Sequence, residues 1–388
     1  MSRRAAGAAA LLACAGLACA GLIAGCGSHP AGVTGAGPPP PVTPAAPLST
    51  SLITAQGAWA VAVVGGPDAG NEFWQLFFRP ATSGHWSLVT PQGVADNGGM
   101  VAAGGGPYLV VGFRPSQNLT FSPLATSTDT GRNWTPGLLD ARLADTPGAI
   151  AVGPSGRTLA LLQDGTIEAA TAGSSAAGRW ARLTTLKALG ASAPGRACGL
   201  EGVTAVSFGP DGYPMAAGSC ARPGPAGVFT DAGGTWRSAG LALPAGGRVR
   251  VLGLTSLAGG NMALLAAGNS QYAAWWDGTR WTVSAPVTAG GVRAAGFGPG
   301  GSAWLLLGGG QPEIVAGVAG STWRALPAVP GGTEVLVPPE TGTLAPGAGG
   351  SYDALAVAGS RLTVWRLTQG AWAKVQQIAV PVQYGSSG

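Results

Sequence analysis

The chain has 388 residues, of which only 10% are charged; 21 basic and 16 acidic side chains give a formal net charge of +5, while 46% of residues are hydrophobic and 68 are glycine. No basic run occurs, so nucleic acid is excluded as a partner. The two histidines, His29 and His85, are too few for a Ser-His-Asp relay or a histidine-rich metal centre, and no metal or other cofactor is expected.

Met1-Ser2-Arg3-Arg4 is a basic head, followed by an apolar Ala/Leu/Gly run and then Leu22-Ile23-Ala24-Gly25-Cys26. That order reads as a signal peptide over residues 1–25. The Ile-Ala-Gly-Cys ending resembles the lipobox of bacterial lipoproteins. The resemblance implies that Cys26 is diacylglycerylated and becomes the first mature residue. Acyl chains contribute about 0.8 kcal/mol per buried methylene, and two of them hold a soluble domain at a bilayer. Loss of Arg3 and Arg4 lowers the formal charge to +3. Arg3-Arg4 leaves both a general and a twin-arginine export route open. The expected location is extracytoplasmic, at the outer face of a bacterial cell membrane.

Residues 26–50 are mostly Gly, Pro, Ala, Ser and Thr, including Pro38-Pro39-Pro40-Pro41. Such a segment cannot bury a core and favours polyproline II, at about 3.1 Å per residue. It reads as a tether reaching up to roughly 70 Å. Cys14 and Cys19 fall in the discarded segment, which leaves Cys198 and Cys220 as an even pair in an oxidising compartment. One disulfide is expected between them.

From residue 51 the chain repeats. A Gly followed two or three residues later by Trp recurs at Trp86, Trp134, Trp180, Trp236, Trp281, Trp323 and Trp372, with spacings of 48, 46, 56, 45, 42 and 49 residues. Within each unit, short β-branched and aromatic runs alternate with Gly, Pro, Asn and Asp turns. The fourth unit reads as strands over 203–208, 213–220 and 226–230, with a fourth opened by Trp236. The sixth reads as strands over 292–297, 303–307 and 313–318, then Trp323. Four strands in each of seven units, about 28 in all, predict an all-β, seven-bladed β-propeller over 51–384, with 385–388 as a tail.

The fullest copy of the signal is Ser127-x-Asp129-x-Gly131-x-x-Trp134. Partial copies are Asp231-x-Gly233 with Trp236, and Asp277-Gly278 with Trp281. The element resembles the Asp-box, or bacterial-neuraminidase repeat, of sialidases, sortilin-type receptors and photosystem II assembly-factor propellers. The resemblance places it between the third and fourth strands, where it is structural. It also places function on the opposite face. That face would take residues 66–72, 113–118, 140–145, 187–201, 220–225, 269–271 and 311–313. The 56-residue spacing puts the largest insertion at 187–201. Folding the next hairpin about Pro210–Asp211 sets Glu201 opposite Cys220, so the disulfide staples the insertion to the rim.

On the first strands, aligning Arg250-Val251-Leu252-Gly253-Leu254 with Arg293-Ala294-Ala295-Gly296-Phe297 puts both arginines at one level, shared with Thr204; Arg248 and Glu334 lie nearby. Arg248, Arg250 and Arg293 either hold an anion by bidentate contacts or are neutralised by Glu201 or Glu334. The function expected is that of a lipid-anchored binding or scaffold module, a monomer, for a protein or glycan ligand, with no catalytic residues assigned. One alternative is a sialidase-like glycoside hydrolase. For that class the resemblance implies a Phe/Tyr-Arg-Ile-Pro motif, whereas Phe78-Arg79-Pro80 and Phe113-Arg114-Pro115 lack the Ile. Its nucleophile would be Tyr272 or Tyr384 near the functional rim. A second alternative is an assembly factor for an envelope complex.

Overall fold

In a computed structural model the chain is described over residues 51–380, except 55, 66–71, 92–99, 106, 114–121, 140–147, 172–178, 244–246, 258–259, 289–290, 299–300, 309–312, 319, 334 and 339–350. Strands fall into seven antiparallel sheets, each built from four strands in sequence order. The blades span 51–88, 100–139, 149–184, 200–238, 249–288, 292–325 and 335–379. The protein is a seven-bladed β-propeller. Blade five adds a two-residue strand, Val287–Thr288, against the start of its third strand, so the described residues hold 29 strands.

No blade buries itself. Seven apolar clusters are present, and each draws its side chains from two adjacent blades. Between blades five and six, for example, Met262 and Leu264 meet Phe297, Leu305 and Leu307. Alternation along each strand sends successive side chains to opposite neighbours. Val249 and Val251 face blade four, whereas Leu252 and Leu264 face blade six. Inner strands approach closely: a Cβ on Gly105 would stand 2.3 Å from the Val152 carbonyl oxygen, so only glycine fits there.

All seven repeat tryptophans sit at, or one residue beside, the start of a fourth strand. Four of them donate the indole N–H to a carbonyl just past the fourth strand of the preceding blade. These are Trp134 to Val89, Trp281 to Ala239, Trp323 to Ala285 and Trp372 to Pro327, at 2.8–3.1 Å. The aromatic therefore buries area and closes a directional bond across the interface.

Blade one comes wholly from the start of the described chain and blade seven wholly from its end, so no strand is shared at the seam. An ionic contact stands there instead. Asp353, fully buried, accepts from Arg79 of blade one at 2.7 Å and from Arg366 of its own blade at 2.7 and 3.0 Å. Trp86 gives its indole N–H to the same carboxylate at 2.9 Å. The Gln376 side-chain amide bonds both the N–H and the C=O of Trp86, at 2.8 Å each, in the manner of a strand pair.

Candidate functional site at the rim of blades four to six

Each first strand begins on one face of the ring, where second strands end and third strands begin. The turns between third and fourth strands lie on the other face. The insertion before blade four belongs to the first face. It folds as two short helices, Leu186–Ala191 and Ala193–Cys198, in a stretch whose sequence shows only an insertion. Thr185 caps the first through Ala188 N–H, Ser192 caps the second through Gly195 N–H, and Gly199 ends it with φ 67°. Cys198 and Cys220 form a disulfide, with Cα atoms 5.2 Å apart. Arg222 N–H and Ala221 N–H then bond the carbonyls of Cys198 and Gly199, so the insertion is tied to the end of the second strand. Leu200, not Glu201, stands opposite Cys220, because the ladder shifts register between Leu200 and Gly202.

The alignment of the rim arginines needs a correction. Between first and second strands, register shifts occur at one level of blades four, five and six: across Val203/Ala205, Val251/Gly253 and Val292/Ala294. The bulged residues are Thr204, Leu252 and Arg293. Arg293 is therefore level with Leu252, and Arg250 stands two residues nearer the rim. In blades one, two, three and seven the corresponding ladders show no shift among the described residues.

Arg222, Arg248, Arg250 and Arg293 are all exposed. Arg248 reaches Glu201 at 3.7 Å, but their side chains are 70% and 51% exposed, so the contact is a weak, screened one. Arg222, Arg250 and Arg293 have no acidic partner among the described residues; Glu334 lies outside them. An isolated bridge pairs Pro223 with Arg248, which brings Arg222 and Arg248 to one ledge beside the disulfide.

Behind the rim the channel narrows to a cavity of about 150 Å³ lined by first-strand residues such as Leu52, Ile150, Thr204 and Leu252. Its walls are apolar and hydroxyl-bearing, and no arginine lines it. Among the described residues no three His, Cys, Asp or Glu side chains cluster as metal ligands would. Tyr272, placed near the rim by sequence, is buried in the core between blades four and five, 6% exposed. Arg79 of Phe78-Arg79-Pro80 is committed to Asp353 on the other face. Cys26, Arg114 and Tyr384 lie outside the described residues.

The aspartate turns sit between third and fourth strands, away from the rim. Ser127 Oγ donates to Asp129 Oδ1 at 2.9 Å and accepts from Gly131 N–H at 2.8 Å; Gly131 takes φ 77°. The Asn133 backbone N–H, then its side-chain amide, hold the Asp129 carboxyl below its ordinary value. Asp231 accepts from Gly234 N–H at 2.7 Å, and Gly233 has φ 69°. The Thr279 hydroxyl, then the N–H groups of Arg280 and Thr279, lower Asp277 to about 2. Every one of these bonds is spent on the turn itself.

No protein-family model matches the chain, and no curated protein matches it. Solved structures do. YCF48 from Cyanidioschyzon merolae is 16% identical over 85% of this chain and 95% of that one, with a TM-score of 0.45. YCF48 bound to D1 peptide is 14% identical over 83% and 94%, with a TM-score of 0.46. A Bacteroides fragilis NCTC 9343 protein, provisionally assigned as a 6-phosphogluconolactonase, is 12% identical over 85% and 97%, with a TM-score of 0.49. At these values the likeness carries no statement about ligand or chemistry.

Proposed function

We propose that the protein is an extracytoplasmic binding module, anchored through a lipid on Cys26 and held off the membrane by residues 26–50. Its rim over blades four to six engages a protein or glycan ligand. One observation carries this reading. Exposed arginines and a disulfide-stapled helical insertion share one sector of the channel mouth, and the same three blades carry bulged inner strands. Bulges re-aim side chains and are typical of functional edges. The disulfide fits an oxidising compartment.

The test uses the full chain in bacterial cells, with a photo-crosslinking residue placed either at Arg222 on the rim or at Thr279 on the opposite face. Adducts from the rim position alone, in the membrane fraction, are expected. Cys26→Ser should release the chain from that fraction. Adducts from position 279 only, or membrane retention of Cys26→Ser, would count against the reading.

A further inference from the structure

We infer that the ligand of this rim is an extended, acidic protein segment; the inference rests on the binding reading above and names the chemistry of the partner. Four exposed arginines, Arg222, Arg248, Arg250 and Arg293, stand on the ledge from blade four to blade six, against two exposed acidic residues of the described rim there, Glu201, which contacts Arg248, and Glu313. All four are arginine rather than lysine, and the planar guanidinium is suited to bidentate grip on carboxylates.

Charge alone does not separate a peptide from an acidic glycan. Two further observations favour the peptide. First, each bulge leaves one inner-strand residue, Thr204, Leu252 or Arg293, without a ladder partner near the channel mouth. Thr204 and Leu252 line the channel, and Thr204 Oγ1 already bonds the Val251 carbonyl of the next blade. Peptide groups outside a ladder match the alternating N–H and C=O groups of an extended chain. Second, no large aromatic ring is exposed on the described rim to stack a sugar. Among the described residues the exposed large apolar side chains are Tyr213 and Val375. Tyr213 follows the turn between first and second strands of blade four, on the other face, and Val375 lies in the outermost strand of blade seven.

Arg293 has room to reach such a segment. Its stem lies over Gly308, where a Cβ would stand 3.4 Å from Arg293 Cγ. A ligand held mainly by exposed charges is bound salt-sensitively.

The experiment is fluorescence anisotropy of the full chain in detergent with a labelled peptide of alternating glutamate and glycine. Unlabelled polygalacturonate serves as the glycan comparator. Binding is expected to weaken with added salt. R250Q/R293Q should weaken it about tenfold or more while leaving the melting curve unchanged, as should R222Q/R248Q. R280Q, on the opposite face, should leave it unaltered. Failure to bind the peptide, equal loss with R280Q, or displacement only by polygalacturonate would overturn the inference. Rim-specific adducts in cells together with any of these results would sink the peptide proposal and leave the binding module standing.

Discussion

Trp86 donates its indole N–H to the buried carboxylate of Asp353 across 2.9 Å, joining residues 267 positions apart in the chain. At four other blade interfaces the equivalent tryptophan finds a main-chain carbonyl. At the seam it finds a charged group that also holds Arg79 and Arg366. The difference follows from topology. The chain runs from each blade into the next at every interface except that between blades seven and one, and there side chains supply the directional contacts, over the same kind of apolar cluster that joins every other pair.

Asp353→Asn should therefore cost more than an average core change. It leaves two guanidinium groups facing a neutral amide, and breaking one side of a buried ion pair costs about 3–5 kcal/mol. Urea unfolding measures the loss. Amide exchange should accelerate first in the second strands of blades one and seven, with the second strand of blade five unaffected. Uniform acceleration around the ring would remove the seam's special status.

Trp86→Phe and Trp281→Phe make a matched pair. Each deletes one N–H and part of the ring system, but Trp281 is half-buried and bonds a neutral carbonyl at 2.9 Å, whereas Trp86 is buried and bonds a carboxylate. Losses of about 1 kcal/mol and about 1.5–3 kcal/mol are expected, in that order. Equal losses in denaturant titrations would contradict the assignment of Trp86 to the closure.

Reduction of Cys198–Cys220, or the double serine variant, opens a loop of 22 residues. A stability loss of about 2–4 kcal/mol is expected. Limited proteolysis should then cut within 186–199 while the blades stay intact. The pairing of Ala221 and Arg222 with residues 198 and 199 depends on the bridge, so peptide binding at the rim should weaken as well.

The turn at Asp277 has its own pH signature. Its folded value, about 2, lies below the ordinary aspartate value of 3.8. A depressed carboxyl supports the turn above about 3.8, and that support is lost as pH falls through about 2. Carboxyl carbon shifts should show the Asp277 midpoint near 2, and Thr279→Ala, which removes the largest cause, should bring it back toward 3.8. A wild-type midpoint at 3.8 would refute the hydrogen-bonded turn.

Much of this architecture is legible in the chain because it is written in local spacing. A tryptophan every 42–56 residues marks each blade's outer corner, and turns such as 209–212 and 153–156 announce themselves through Gly and Pro. The disulfide is legible because a hairpin folds about a recognisable turn. The bulges at Thr204, Leu252 and Arg293 are not, since no residue type marks them and they exist only relative to a partner strand. That is why Arg250 and Arg293 look level in sequence and differ by two residues in the ring. The seam is hidden for a different reason: Arg79 and Asp353 are 274 residues apart, and nothing near either one names the other. The two helices did leave signals, in Thr185, Ser192, Pro194 and Gly199, but six-residue helices are too short to show a period.

The central claim is that the rim of blades four to six is the face that meets a partner. Hydrogen exchange of the full chain, alone and with the bacterial membrane fraction added, tests it directly. Protection is expected in 220–226, 247–253 and 291–294, with the turns at 127–134, 231–236 and 277–281 unchanged. Protection of those turns with an unprotected rim would contradict it.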